Sequence, residues 1–217
     1  MTTMKKRMKP DPAPAEELRY HHGDLRAALI RAADEILAEQ GVAGFSLREA
    51  ARRAGVSPAA PTHHFGGSAG LLSEVAALGF EELGDRLQVS ATTPTRRLRA
   101  QGLGYVRFAV AHPGRFQLMF RKDLVDPAHE RLHASGERAL AQLEETVRAL
   151  RKIPPGRALD KPARSALLAT WSMVHGFAHL LLDGKLQHMH EGATSEELLI
   201  RVLPDMLLSQ WPDPEPR

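Results

Sequence analysis

The chain has 217 residues, 43% hydrophobic and 25% charged, with a formal net charge of +3, 17 glycines, 15 prolines and no cysteine. That length makes one domain or two small ones, and the apolar-to-charged balance is that of a soluble globular chain, not a low-complexity or disordered one. Without cysteine there is no disulfide, no thiolate metal site and no cysteine nucleophile, which fits a reducing, cytoplasmic setting.

The elements begin with a basic segment. Residues 1–9 carry Lys5, Lys6, Arg7 and Lys9 and no anion. No apolar run follows, so the segment is not expected to be a secretory signal. A first helix is predicted from the apolar stripe Leu25, Leu29, Ala32, Ala33, Ile36 and Leu37, with Asp24 as N-cap and Gly41 as stop. Ser46-Leu47-Arg48-Glu49 reads as a capping box opening a second helix, with Phe45 as a hydrophobic staple before it. Ala50, Ala51 and Ala54 form its buried side, and Gly55 ends it. Ser57 is expected to cap a third helix with Pro58 at its first position. Pro61 lies inside that helix and should loosen or tighten its first turn. Gly66 and Gly67 break the chain, and Ser68 opens a fourth helix with Leu71, Leu72, Val75, Leu78 and Leu83 inward.

Longer amphipathic helices are predicted near 95–111, 114–121, 128–151, 162–184 and 194–209. The breaks between them are His112-Pro113-Gly114, Pro154-Pro155-Gly156 and Asp183-Gly184. Thr194-x-x-Glu197 is a second capping box, and Pro204 should kink or split the last helix. The longest apolar stretch, Ala166–Leu182, is broken by His175 and His179 and falls short of the ~20 residues of a membrane span. No membrane partner is expected. Strand signals are weak throughout.

Ser46 to Phe65 is the strongest motif: helix, glycine-containing turn, helix. Small alanines let the two helices cross closely, Gly55 supplies the left-handed turn and Val56 fills the angle. Beside it, residues 44–66 carry Arg48, Arg52 and Arg53 against Glu49 alone, a basic surface suited to a polyanion.

These residues carry a resemblance. Ala32-Ala33 with Ile36-Leu37, Gly41-Val42, Phe45-Ser46-Leu47-Arg48, Ala50-Ala51, Ala54-Gly55-Val56-Ser57 and His64-Phe65 with Leu71-Leu72 resemble the TetR-type transcriptional regulators. Trp171, His175 and Gly176, in a Trp-x-x-x-His-Gly run, resemble one C-terminal subtype. The resemblance implies an all-α homodimer that binds a palindromic double-stranded DNA operator and leaves it when a small molecule binds. Three positions depart from the family pattern. Thr62 stands where an aromatic is usual, Ser68 or Ala69 where a lysine is usual, and Pro61 lies within the recognition helix.

The expected organisation is a basic arm over 1–22, a three-helix DNA-binding domain over 23–67, an effector-binding and dimerisation domain over 68–210 and a frayed tail over 211–217. Within the third part, 68–90 is a connecting helix. Ser46 and Arg48 are expected on phosphates, with Ser57, Ala59, Ala60, Thr62, His63 and His64 on the recognition helix and Lys5, Lys6 and Arg7 on the arm. Ala59 and Ala60 can offer only apolar contact, and residues 57–65 contain no Arg, Asn or Gln for bidentate base readout. Phe108, His112, Phe116, Phe120, Trp171 and His175 are the candidates to line a largely apolar effector pocket. The helices at 162–184 and 194–209 are apolar over more than one stripe and are expected to pair in the dimer, with Leu181 and Leu199 in the interface.

The alternatives are a histidine-using metal-binding or enzymatic bundle, and a TetR-like fold that has lost DNA binding. His175, His179 and Asp183 lie at four-residue steps but lack a third ligand in a recognised spacing. No nucleophile–base arrangement and no paired carboxylates can be placed in one site, so no catalysis and no cofactor is expected.

Overall fold

The computed structural model describes residues 15–186 and 194–211, with side chains from Leu25 onward. The described residues form nine α-helices and no strand. They are α1 (Ala15–Gln40), α2 (Leu47–Arg53), α3 (Ala60–Phe65), α4 (Ser68–Leu87), α5 (Pro94–Ala111), α6 (Pro113–Met119), α7 (Glu130–Leu150), α8 (Lys161–Leu182) and α9 (Ser195–Gln210). A short 3-10 turn, Val42–Gly44, follows α1.

Side-chain caps fix most helix starts. Ser46, Thr93, Asp160 and Thr194 each accept a hydrogen bond from the backbone N–H three residues on. Pro94, Pro113 and Pro162 occupy first-turn positions of α5, α6 and α8, where an amide hydrogen would have no partner. At α9 the reciprocal box is complete: Glu197 N–H donates to Thr194 Oγ1 at 3.2 Å, and Thr194 N–H donates to Glu197 Oε2 at 2.9 Å.

Five expectations need correction. α1 begins at Ala15, so Asp24 lies inside it, and a boundary at residue 22 would fall within the helix. At α2 only half of the box forms, because the Glu49 carboxylate is taken by Arg52 and Arg53. Ser57 and Pro58 lie in a turn ahead of α3, whose first helical residue is Ala60. Pro204 does not split α9, which runs through it. Trp211, expected in a frayed tail, is buried and donates its indole N–H to Thr170 Oγ1 at 3.0 Å.

One continuous core runs the length of the molecule, from Leu29, Ile36 and Ala50 through Leu71 and Val75 to Val174 and Leu203. α4 holds it together, packing on α1 and α3 at one end and along α5, α6 and α7 beyond. Its buried side is broad, taking in Leu71 to Ala77 without interruption. α6 closes on the end of α1. A Cβ at Gly114 would fall well inside contact distance of the Leu37 carbonyl oxygen, so only glycine lets the two backbones meet there. α8 is long and apolar enough to cross a membrane by length and composition alone. Here it packs against α5, α7 and α9.

Leu181 and Leu199, expected in a dimer interface, are 4% and 2% exposed in the core of the single chain. The apolar side chains that α8 and α9 leave in solvent are Leu168, Leu180 and Ile200.

Candidate nucleic-acid interface and effector cavity

The turn between α2 and α3 is a complete Schellman motif. Gly55 adopts φ 68, Val56 N–H donates to the Ala51 carbonyl at 3.0 Å, and Gly55 N–H donates to the Arg52 carbonyl at 3.2 Å. The orphan carbonyls at the end of α2 are thereby satisfied and the chain is turned sharply into α3. Ala60 N–H then reaches back only three residues, to the Ser57 carbonyl at 3.0 Å, so the turn before α3 is tightened. Pro61 sits in the first turn of α3, buried, where its missing N–H costs nothing.

The far end of α3 is held by Arg26, a residue that the sequence pattern did not single out. Its Nη1 donates to the His64 carbonyl at 3.0 Å, its guanidinium lies 4.6 Å from the centre of the Phe65 ring, and its Nη2 pairs with Glu74 at 2.7 Å. A cation at a helix C-terminus opposes the negative end of the dipole, so Arg26 both caps α3 and ties it to α4. The cue in sequence would have been a cation one stripe-position from Leu29 and Ala33, but its target lies 38 residues away.

Ser57, Ala59, Thr62 and His63 are exposed on or just ahead of α3, and Ala60 and His64 are half-buried. The His63 and His64 rings meet edge-on at 5.1 Å. Ser46 and Arg48 are exposed at the start of α2. Capping uses a lone pair of the Ser46 hydroxyl, so its O–H is left to donate. Arg48 has no ion pair among the described residues, whereas Arg52 and Arg53 both bind Glu49, and Arg53 also reaches Glu39 at 2.7 Å. Those hydrogen bonds, Arg52 first, hold the Glu49 carboxyl down to about 2. The basic patch counted from sequence is therefore partly neutralised internally, and Arg48 is its uncompensated cation. Ser46, Arg48, Arg52, Val56 and Pro58 border a surface groove of about 390 Å³. Lys5, Lys6 and Arg7 lie outside the described residues.

A second feature lies in the helical body. A half-open cavity of about 560 Å³ lies between α4, α5, α7, α8 and the segment after α6. Phe120 and Trp171, two of the six expected pocket residues, line it. The other four stand elsewhere. Phe108 and Phe116 are fully buried core side chains. His112 faces Glu82 at 3.1 Å on the α4–α6 seam. His175 sits behind the wall, its Nδ1 2.8 Å from the Tyr105 hydroxyl and its ring against Phe116, Phe120 and His179. Burial, with His179 close by, lowers its pKa and favours the neutral imidazole. Among the described residues no three His, Asp or Glu side chains are placed to hold a metal ion.

The walls that sequence reasoning missed are mainly on α7, with Leu132, Gly136, Ala139 and Leu143, and on α5, with Leu98 and Gln101. α4 contributes Phe80, Leu83 and Leu87. The rim segment is tied back to α4: Asp126 N–H donates to Ser73 Oγ at 2.8 Å, and Ser73 donates to the Ala69 carbonyl at 2.7 Å. Next to Ser73, Glu74 joins three elements, binding Arg26 of α1 at 2.7 Å and Arg131 of α7 at 2.6 Å. Arg115 of α6 makes a parallel link, pairing with Asp34 of α1 and with Glu82 of α4.

Residues 29–75 match the bacterial regulatory proteins of the tetR family, and residues 98–203 match the tetracyclin repressor-like C-terminal domain. Among solved structures, a protein of unknown function from Rhodococcus sp. RHA1 superposes with a TM-score of 0.71 at 29% identity, covering 89% of this chain and 98% of the other. The TetR family transcriptional regulator PfmR from Thermus thermophilus gives 0.58 at 22% identity, over 83% and 97% of the two chains. A bacterial regulatory protein in the tetR family from Rhodococcus RHA1 gives 0.63 at 16% identity, over 86% and 96%. The last two likenesses speak for the fold alone. No curated protein matches the chain. The helix-turn-helix at one end, the all-helical body at the other and the two family matches that span them make one assignment: this chain belongs to the TetR-type transcriptional regulators, DNA-binding proteins and not enzymes.

Proposed function

We propose that the chain is a ligand-responsive repressor that binds a pseudo-palindromic operator as a cytoplasmic homodimer and leaves it when a small apolar molecule fills the cavity. The observation that carries this reading is the double use of α4. Its first half, Leu71 to Ala77, is packed into the core beneath the DNA-reading helices. Its second half supplies Phe80, Leu83 and Leu87 to the cavity wall. A ligand that binds one tilt of α4 better than another shifts the population of that tilt by its differential affinity. In a dimer, the tilt sets the separation of the two recognition helices, which must match half-sites about one helical turn apart or a small multiple. Ser46 and Arg48 position the unit on phosphates. Thr62, His63 and the alanines face the groove, and Lys5, Lys6 and Arg7 add charge from the arm. Exposed Leu168, Leu180 and Ile200 supply the dimer contact in place of Leu181 and Leu199.

The test combines footprinting with sedimentation. DNA flanking the chain's own coding region should show a two-fold symmetric protected site. Leu168→Glu with Ile200→Glu should give folded monomers that no longer protect it. A monomer bound to a single asymmetric site, or a variant that stays dimeric, would overturn the dimeric reading. No protection at all would favour a TetR-like fold without DNA binding.

A further inference from the structure

The carboxylate of Glu74 carries two arginines at once, one oxygen each. Arg26 of α1 donates from Nη2 to Oε1 at 2.7 Å, and Arg131 of α7 donates from Nη1 to Oε2 at 2.6 Å. The Glu74 side chain is only 10% exposed, so water adds little to either oxygen. His129 stands beside them. Its Nδ1 accepts from Leu132 N–H at 3.2 Å, which leaves its proton on Nε2, 3.5 Å from Oε1.

This sharing decides what Arg26 does at its other end. A guanidinium beside an unshared carboxylate favours the two-bond fork, which would use both Nη1 and Nη2. Here Arg131 holds Oε2. Arg26 gives only Nη2 to Glu74, and its Nη1 goes to the His64 carbonyl at the end of α3, at 3.0 Å. The polar contacts of Arg131 are with Glu74 and Glu81 of α4, yet it guards the cap of α3.

Arg131 also stands next to the cavity. It precedes Leu132, which lines the wall, and a Cβ at Gly136, a further wall residue, would meet the Phe80 ring of α4 at 3.9 Å. Arg131 grips Glu81 by a fork, Nε at 2.9 Å and Nη2 at 2.8 Å, but holds Glu74 by one bond. A shift of α7 away from α4 breaks the single bond first.

We propose that Glu74 is a positioning residue for the recognition helix and that α7 sets its state. With Arg131 in place, Arg26 caps α3. With α7 displaced by an occupant of the cavity, Glu74 takes both amino groups of Arg26, the His64 carbonyl loses its donor and the end of α3 frays. This rests on the cavity being the effector site.

Amide hydrogen exchange of the full chain, followed by NMR, tests it. The reporter is Gly66 N–H, which closes the last turn of α3 on the Thr62 carbonyl at 2.9 Å, and the controls are the amides of Val174 and Phe177 in α8. Arg131→Met should lower protection at Gly66 about two- to fivefold, the effect of one exposed charged cap, and leave α8 unchanged. In Glu74→Gln a single carbonyl oxygen cannot take both amino groups, so adding Arg131→Met should change nothing further at Gly66. Gly136→Phe supplies a built-in occupant, because the ring must part α7 from α4 or enter the cavity between them. It should loosen Gly66 with Glu74 present and not with Gln at that position. An unchanged Gly66 in Arg131→Met, or an equal loss in α8, overturns the inference. Arg131 is 41% exposed, so this comparison decides even where Glu74→Gln fails to fold. A loss from Gly136→Phe in both backgrounds shows a signal carried by α4 itself: the route through Glu74 falls and the cavity stands as effector site. A loss from Arg131→Met with none from Gly136→Phe takes the cavity out of the route and counts against the effector reading as well.

Discussion

Arg48→Ala separates binding from folding. Arg48 is exposed in the first turn of α2 and has no ion pair among the described residues. A cation there opposes the positive end of the helix dipole, an unfavourable interaction of roughly 0.3–1 kcal/mol. Removing it should leave stability within about 0.5 kcal/mol, and the change should if anything be favourable. On DNA the balance reverses. Each half-site loses one charge-assisted phosphate contact, worth about 1.5 kcal/mol, so a dimer loses roughly a hundredfold in affinity. Two fewer neutralised phosphates flatten the log–log salt dependence by about 1.8. Arg52→Ala is the internal control. Arg52 is equally outward but its charge is engaged by Glu49, at 2.7 Å, so its slope change should be well below that of Arg48. Fluorescence anisotropy of a labelled operator over a potassium chloride series gives the slope, and scanning calorimetry gives the stability. A melting temperature that falls in step with affinity, or an unchanged salt slope, would refute phosphate contact by Arg48.

Deleting residues 1–9 removes four cations, and if each meets a phosphate the slope should flatten by several units across a dimer, read in the same assay. Gly114→Ala should destabilise by about 1–3 kcal/mol or more, because the new methyl meets the Leu37 backbone and not a side chain that can rotate away. Denaturant midpoints measure it, and a neutral result would show that α6 is free to lift. The Glu49 carboxyl should titrate near 2 by carbon-detected NMR. A folded pKa below the unfolded value means that this contribution to stability is complete above about pH 4.5 and is lost as pH falls toward 2. In Arg52→Ala with Arg53→Ala the Glu49 titration should return toward the ordinary carboxylate range.

The helices, their breaks and the DNA-reading turn were legible because their signals are local. The α9 capping box, Gly55 and the paired glycines after Phe65 each act within a few residues of themselves. Where local signals competed, the reading slipped. Gly23-Asp24 resembles a helix start, yet α1 passes through it. One interior glycine costs about 1 kcal/mol, less than ending a helix and nucleating another. At Glu49 two neighbouring arginines outcompete the backbone N–H for the same carboxylate. The cavity was the least legible part. Phe108, Phe116, Phe120 and Trp171 are chemically alike, and helical periodicity assigns them to apolar faces without saying which face meets the core and which a void. Gln101, also in its wall, was invisible because the carbonyls that hold its side chain lie 14 and 41 residues away.

The shared helix α4 bears on how such a protein can be rebuilt. Regulators are often imagined as a reading head joined to an interchangeable sensor, to be recombined at the seam. Here a cut at Gly67 would strip Leu71, Leu72 and Val75 from beneath α1 and α3 and leave the reading head with an open apolar flank. A cut after Leu87 would carry Phe80, Leu83 and Leu87 into a foreign sensor as a wall shaped for another cavity. Along α4 no cut separates the packing beneath the reading helices from the wall of the cavity. A chimera must therefore be made by repacking the second half of α4, residue by residue, against its new neighbours, and not by joining fragments.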